Sequence, residues 1–198
     1  MGAGRVERGG AVHAAGKVRG VAIDDAYRLA PWADVLYFAD ARWANWQQDR
    51  PEFRAFSGLR CSIENSAPGI EDDAVHILRN RDFPNHGLGL SLDPRALVTG
   101  RNSGFQALNL AILAGAKTVI LLGFDGRPNS EGKTHFHAGH PKPTPTAVYE
   151  EYRRSFSAAE SAIEAAAVKV LNCSPGTFID SFSKVALEDA LARYDRLP

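Results

Sequence analysis

The spacing of hydrophobic positions along this chain changes several times, and each change marks an element. Between Thr99 and Lys142 (TGRNSGFQALNLAILAGAKTVILLGFDGRPNSEGKTHFHAGHPK) a polar turn gives way to a run, Phe105 to Leu113, that is apolar on nearly every side. Asn102 and Ser103 are strong N-cap residues, and Gly115 suits a left-handed C-terminal cap. The pattern predicts a helix of about 12 residues, covered by neighbours rather than lying on the surface. Thr118 to Leu122 is then continuously apolar and largely β-branched, as a parallel strand buried on both faces would be. Gly123, Phe124 and Asp125 end it. Residues 126–145 follow neither period, which predicts a long loop of the kind that carries function.

Earlier in the chain, Val18 to Ile23 and Asp34 to Ala39 read as strands. Asp40 stands at the tip of the second, and Trp43 and Trp46 open a short helix. Leu59 to Glu64 and Ala74 to Leu78 are weaker strands, and the Gly-, Pro-, Asn- and Asp-rich stretch from Asn80 to Pro94 reads as loop. After the long loop, Thr144 and Pro145 suggest a cap and a first-turn proline. Val148, Tyr152, Phe156, Ala159, Ile163 and Ala166 then form one apolar face of a helix of about 20 residues. Lys169 to Cys173 is a further buried strand, and a terminal helix is predicted from Ser183 to Tyr194. This alternation implies an α/β chain, a Rossmann-like three-layer arrangement with a largely parallel sheet and right-handed crossovers, in one domain over residues 1–198.

Composition narrows the function classes. Lys plus Arg equals Asp plus Glu at 23 each, so no basic field argues for nucleic acid. The two cysteines, Cys61 and Cys173, lack metal-site or disulfide-framework spacing and read as core thiols, which points to a reducing, cytoplasmic compartment. No apolar run is long enough for a membrane span. Assembly into a homo-oligomer is left open.

Candidate chemistry gathers where strands end. In open parallel sheets, ligands bind beyond the carboxyl ends of the strands, where helix N-termini offer free N–H groups and a positive dipole end. Asn102, Ser103 and Gly104 can therefore hold a phosphate or a carboxylate, with Asp125 at the strand end nearby. Asp24 and Asp40, at the tips of two other strands, suit ribose hydroxyls or base edges, or else cap the helices that follow. Three of the six histidines, His135, His137 and His140, share the long loop. Gly139 lets the backbone turn before His140, and Pro141 restricts it to extended angles, so His140 is the best-directed of the three and the candidate general base. Zinc held by the three histidines with Asp125 is a weaker reading. The loop does not preorganise its ligands, and Lys133 and Lys142 repel a cation. No metal or other cofactor is called for.

Three linked motifs resemble a known fold family: TG-x-x-SG leading a helix, then AGAKTVILLGFD, then Gly139-His140-Pro141-Lys142. They resemble the bacterial sialyltransferases of the campylobacter type, which use a CMP-activated sugar. The segments IDDAYRLAPWADVLYFADARW and NCSPGT resemble more closely a set of phage and prophage proteins labelled morphogenetic, which share that fold. The likeness runs from about Val21 to Lys184. It implies that Asn102, Ser103 and Gly104 bind the donor's phosphate or sugar carboxylate and that Gly123 and Asp125 close the nucleotide site. Asp24 would stand where the family has an Asn, and His140 would be the base. The implied partner is a nucleotide or nucleotide sugar, and the implied reaction is glycosyl transfer. A non-catalytic phage-derived nucleotide-binding or assembly protein is the alternative. The family opens with a strand and a G-x-G-P-S-type loop that this sequence does not show before Val18, and its phosphate-assisting tyrosines have no obvious counterpart just after Asp125.

Overall fold

A computed structural model describes residues 18–64, 74–83, 85–128, 132 and 145–192. Helices and strands are interspersed along the described residues, and all the registered strand pairs are parallel, giving a Rossmann-like α/β fold. The chain divides between Arg79 and Asn80 into two compact units.

In the first unit, β1 (Val21–Ile23), β2 (Val35–Tyr37), β3 (Leu59–Ile63) and β4 (Val75–Asn80) pair in chain order. Ile23, Tyr37 and Cys61 lie at one level across three strands. Helix α1 (Ala41–Gln47) and the helical turn α2 (Pro51–Arg54) connect β2 to β3. Their apolar residues Trp43 and Phe53 close an aromatic core on Phe38 and Tyr27, with Tyr27 edge-on to Trp43 at 6.1 Å. Two buried polar contacts sit at its edge. The Trp43 indole N–H donates to the Asp25 carboxylate at 2.8 Å, and the Tyr27 hydroxyl donates to Gln47 Oε1 at 3.0 Å. Trp43 is thus core, while Trp46 is exposed.

The second unit holds β5 (Ala96–Leu97), α3 (Ser103–Leu113), β6 (Thr118–Leu121), α4 (Thr146–Ser157), α5 (Glu160–Ala165), β7 (Lys169–Asn172), β8 (Ser183–Lys184) and α6 (Leu187–Leu191). Strands β6, β7 and β8 form a parallel sheet in that order. Helix α3 follows the sequence closely: Asn102 caps it, Gly115 beyond its end takes φ +90°, and Phe105 and Leu108 are fully buried. Burial of a side chain such as Phe105 contributes about 1.5–3 kcal/mol. Phe105 meets Phe156 of α4 edge-on at 5.4 Å, and Leu121, Ile163, Val170 and Ile179 complete the core.

Three expectations are corrected. The single long helix after Pro145 is two helices, α4 and α5. The Ala159 N–H donates to the Phe156 carbonyl, a tighter bond than the helical one, and the Ser157 hydroxyl donates to the Arg154 carbonyl, so the ladder turns at Ala158–Ala159 although the apolar face continues. Pro145 precedes that helix at the N-cap with ψ 138° instead of occupying its first turn. The terminal helix from Ser183 is instead the short strand β8 and then α6. Pairing of Leu171 and Asn172 with Ser183 and Lys184 overrides local helix preference. Among the described residues no helix is long and apolar enough to cross a membrane.

Candidate functional site

The turn that leads into α3 is tightly held. Gly100 and Arg101 both adopt left-handed backbone angles, φ +48° and +55°, a strained state for arginine. The Ser155 hydroxyl donates to the Gly100 carbonyl at 2.7 Å, and the Thr99 carbonyl accepts from Asn102 N–H at 3.1 Å and from the Gln106 amide at 2.7 Å. A Cβ at Gly100 would meet Phe105 at 2.6 Å, so glycine is required for space as well as for φ. Asn102 Oδ1 accepts the Phe105 N–H at 2.9 Å, and the Asn102 carbonyl accepts Gln106 N–H. Those bonds leave the amides of Ser103 and Gly104, both half-buried, as the first-turn donors that helix geometry does not use.

Opposite this turn lies the end of β6. Phe124 packs on Gly104, and a Cβ at that glycine would stand 2.8 Å from the ring. The chain at Phe124–Gly126 is fixed from the β7 side. The Cys173 N–H donates to Leu121 O, and the Phe124 N–H donates to the Ser174 hydroxyl at 2.7 Å. The Thr177 hydroxyl donates to Phe124 O at 2.6 Å, and the Phe178 N–H donates to Asp125 O at 2.8 Å. Arg153 of α4 donates to Gly126 O at 2.8 Å. Gly123 takes φ +77°, which allows the reversal after the strand. The carboxyl ends of two adjacent parallel strands are thereby clamped together beside the start of α3.

Asp125 is exposed at that clamp. Partial burial of its carboxyl pushes its pKa up from the ordinary value, and the Arg127 guanidinium opposes this. The Tyr149 phenol on α4 is pushed up as well, first by burial and then by the charge of Asp125. Tyr149 therefore stays a protonated donor within electrostatic reach of Asp125.

Comparison with protein-family models, curated proteins and solved structures found no match.

The structure brings Asn102, Ser103, Gly104, Gly123 and Asp125 to the same end of the second unit. His140, His135 and His137 lie outside the described residues, as does most of the 126–145 loop. Among the described residues no three His, Cys, Asp or Glu side chains gather as metal ligands.

Asp24 and Asp40 belong to the first unit. Asp40 caps α1: its carboxylate accepts the Arg42 N–H at 2.8 Å and the Arg42 guanidinium at 2.9 Å. Against the upward push of burial, those bonds hold its carboxyl below the ordinary value. Asp24 follows β1 with φ +48°. The nearby Tyr37 phenol is pushed far up by burial, then by the charge of Asp24, then by Cys61. Burial also pushes the Cys61 thiol up to about 11, so it is inert as a nucleophile at neutral pH.

Sequence reasoning missed Tyr149, Arg153, Ser174 and Thr177 as site-building residues. Ser174 was legible only as part of a turn, and Tyr149 carries no local mark that separates it from the apolar face of α4.

Proposed function

We propose that this chain is a sialyltransferase-like glycosyltransferase that binds a nucleotide-activated sugar, of the CMP type, at the start of α3. The observation that carries the reading is the junction of Gly104 with Phe124. It sets two unused helix-terminal amides against the clamped carboxyl end of β6. The Ser103 and Gly104 N–H groups receive the donor phosphate, and Tyr149 offers a protonated phenol beside Asp125. In the reaction, His140 takes the proton of an acceptor hydroxyl as its oxygen bonds to the anomeric carbon. The bond from that carbon to the phosphate oxygen breaks, and the nucleotide leaves with the electron pair. The helix N-terminus stabilises the charge that gathers on the leaving phosphate.

A second reading has a specific observation in its favour. Asn102 Oδ1 is already occupied as a helix cap and the Asp40 carboxylate by Arg42, so two groups assigned to the donor serve the fold. A phage-derived nucleotide-binding or assembly protein without catalysis would use the same anion turn.

Titration of the full chain with CMP tests both. Binding with shifts confined to the Ser103 and Gly104 amides, followed by release of CMP from a CMP-activated sugar, supports the enzyme. Binding without release favours the second reading. No heat and no thermal shift at millimolar CMP would overturn both.

A further inference from the structure

Along the wet face of α4 runs an open cleft of about 500 Å³, lined on its other side by Phe178 and Asp180. Its volume falls in the range of small-ligand sites. Phe178 leaves half of its surface exposed, yet its ring is held in place, because the Arg127 guanidinium sits 4.5 Å from its centroid and its N–H is bonded to Asp125 O. Facing it are Glu150, Arg153 and Arg154 of α4 and Glu160 at the start of α5. Arg153 is anchored to Gly126 O, and Asp180 is held by Lys184 Nζ at 2.6 Å.

We propose that this cleft binds a neutral saccharide, at a site separate from the anion turn and independent of whether the chain is a transferase. Carboxylates and guanidinium groups line it together, so neither an anion nor a cation gains from the whole set. A sugar with vicinal hydroxyls gains from both, since carboxylates accept and the planar guanidinium donates in a fork that two adjacent oxygens can match. The half-exposed ring of Phe178, with Arg127 over it, supplies the apolar surface against which a pyranose lays its C–H groups. An apolar peptide would leave the charged side chains desolvated without partners.

Saturation-transfer NMR on the full chain tests this, with methyl β-glucopyranoside, methyl β-galactopyranoside, methyl α-mannopyranoside and maltotriose as probes at millimolar concentration. At least one should receive saturation at its ring protons and shift amides in 150–160 and 178–181. Phe178→Ala should weaken that binding at least about tenfold, the scale of a lost aromatic contact, and Phe178→Trp should preserve it. Arg154→Ala, a change at an exposed side chain, keeps the test sound if Phe178→Ala disturbs the fold. The proposal is overturned if no probe receives saturation, if the binding survives both alanine variants, or if cytidine or inorganic phosphate shifts these amides and the glycosides do not. CMP titrated into the same samples reads the anion turn at Ser103 and Gly104, so failure at one site is distinguishable from failure at the other.

Discussion

The ring of Phe124 lies so close to Gly104 that a Cβ on the glycine would come within 2.8 Å of it, and within 2.9 Å of the Asn102 oxygen that caps the helix. Two segments distant in sequence are thus spaced by the absence of one methyl group. Gly104→Ala must displace Phe124 from its place against Phe156, or strain the cap. It should cost about 1–3 kcal/mol and weaken CMP binding, read by thermal unfolding and calorimetric titration of the same protein.

Thr177 is the hub of the clamp. Its hydroxyl donates to Phe124 O and accepts from the Asn172 amide and the Ile179 N–H, both at 3.1 Å. Thr177→Val keeps the shape and leaves those three groups without their partner, which should destabilise by about 2–4 kcal/mol. Hydrogen exchange should speed up at Phe124 and Ile179 before the α3 core is affected. Unchanged protection there would refute the clamp.

Asn109, fully buried on α3, accepts from the Ser91 N–H at 3.1 Å and the Val98 N–H at 3.3 Å, and donates to the Ser91 carbonyl at 2.8 Å. It ties the backbone on either side of β5 to the helix. Asn109→Leu should cost about 3 kcal/mol or more, because several buried backbone groups lose their partner at once. Denaturant unfolding measures this directly.

The pKa of Asp125 is raised in the folded state above its ordinary 3.8. A raised carboxyl contributes stability that is fully present below the unfolded pKa and is lost as pH rises through the folded one. Asp125→Asn should therefore match the wild type in acid and exceed it in thermal stability at neutral pH, while losing activity with the donor. A variant less stable than the wild type at neutral pH would contradict the desolvated carboxylate.

His140 is assigned from the sequence around it. Once turnover of an activated donor is measured, His140→Ala should lower it roughly 100-fold or more, and His135→Ala should change it little. Equal losses would place the proton transfer elsewhere.

Where a signal is local, the sequence alone determined the outcome. Asn102 supplies its own cap oxygen within three residues, and Gly115 takes its left-handed angle with open space around it. The apolar run Thr118–Leu122 becomes a parallel strand over Thr118–Leu121, but its residues up to Ile120 are half-buried and Leu122 is exposed, so it is not buried on both faces. Strands β1 to β4 and β7 lie within the stretches their hydrophobic pattern marks, apart from a residue or two at β4's end, because burial follows period. Tertiary structure decided the rest. The split between α4 and α5 turns on which carbonyl Ala159 and Ser157 reach, and β5 and β8 are two-residue strands that pairing, not propensity, creates. The clamp around Asp125 depends on Ser174 and Thr177, more than fifty positions from the nearest residue of the anion turn. Those hydroxyls find Phe124 only when parallel pairing brings the ends of β6 and β7 side by side. Side-chain oxygens carry no sequence mark of which distant backbone group they will meet, so the shape of the site follows from the sheet.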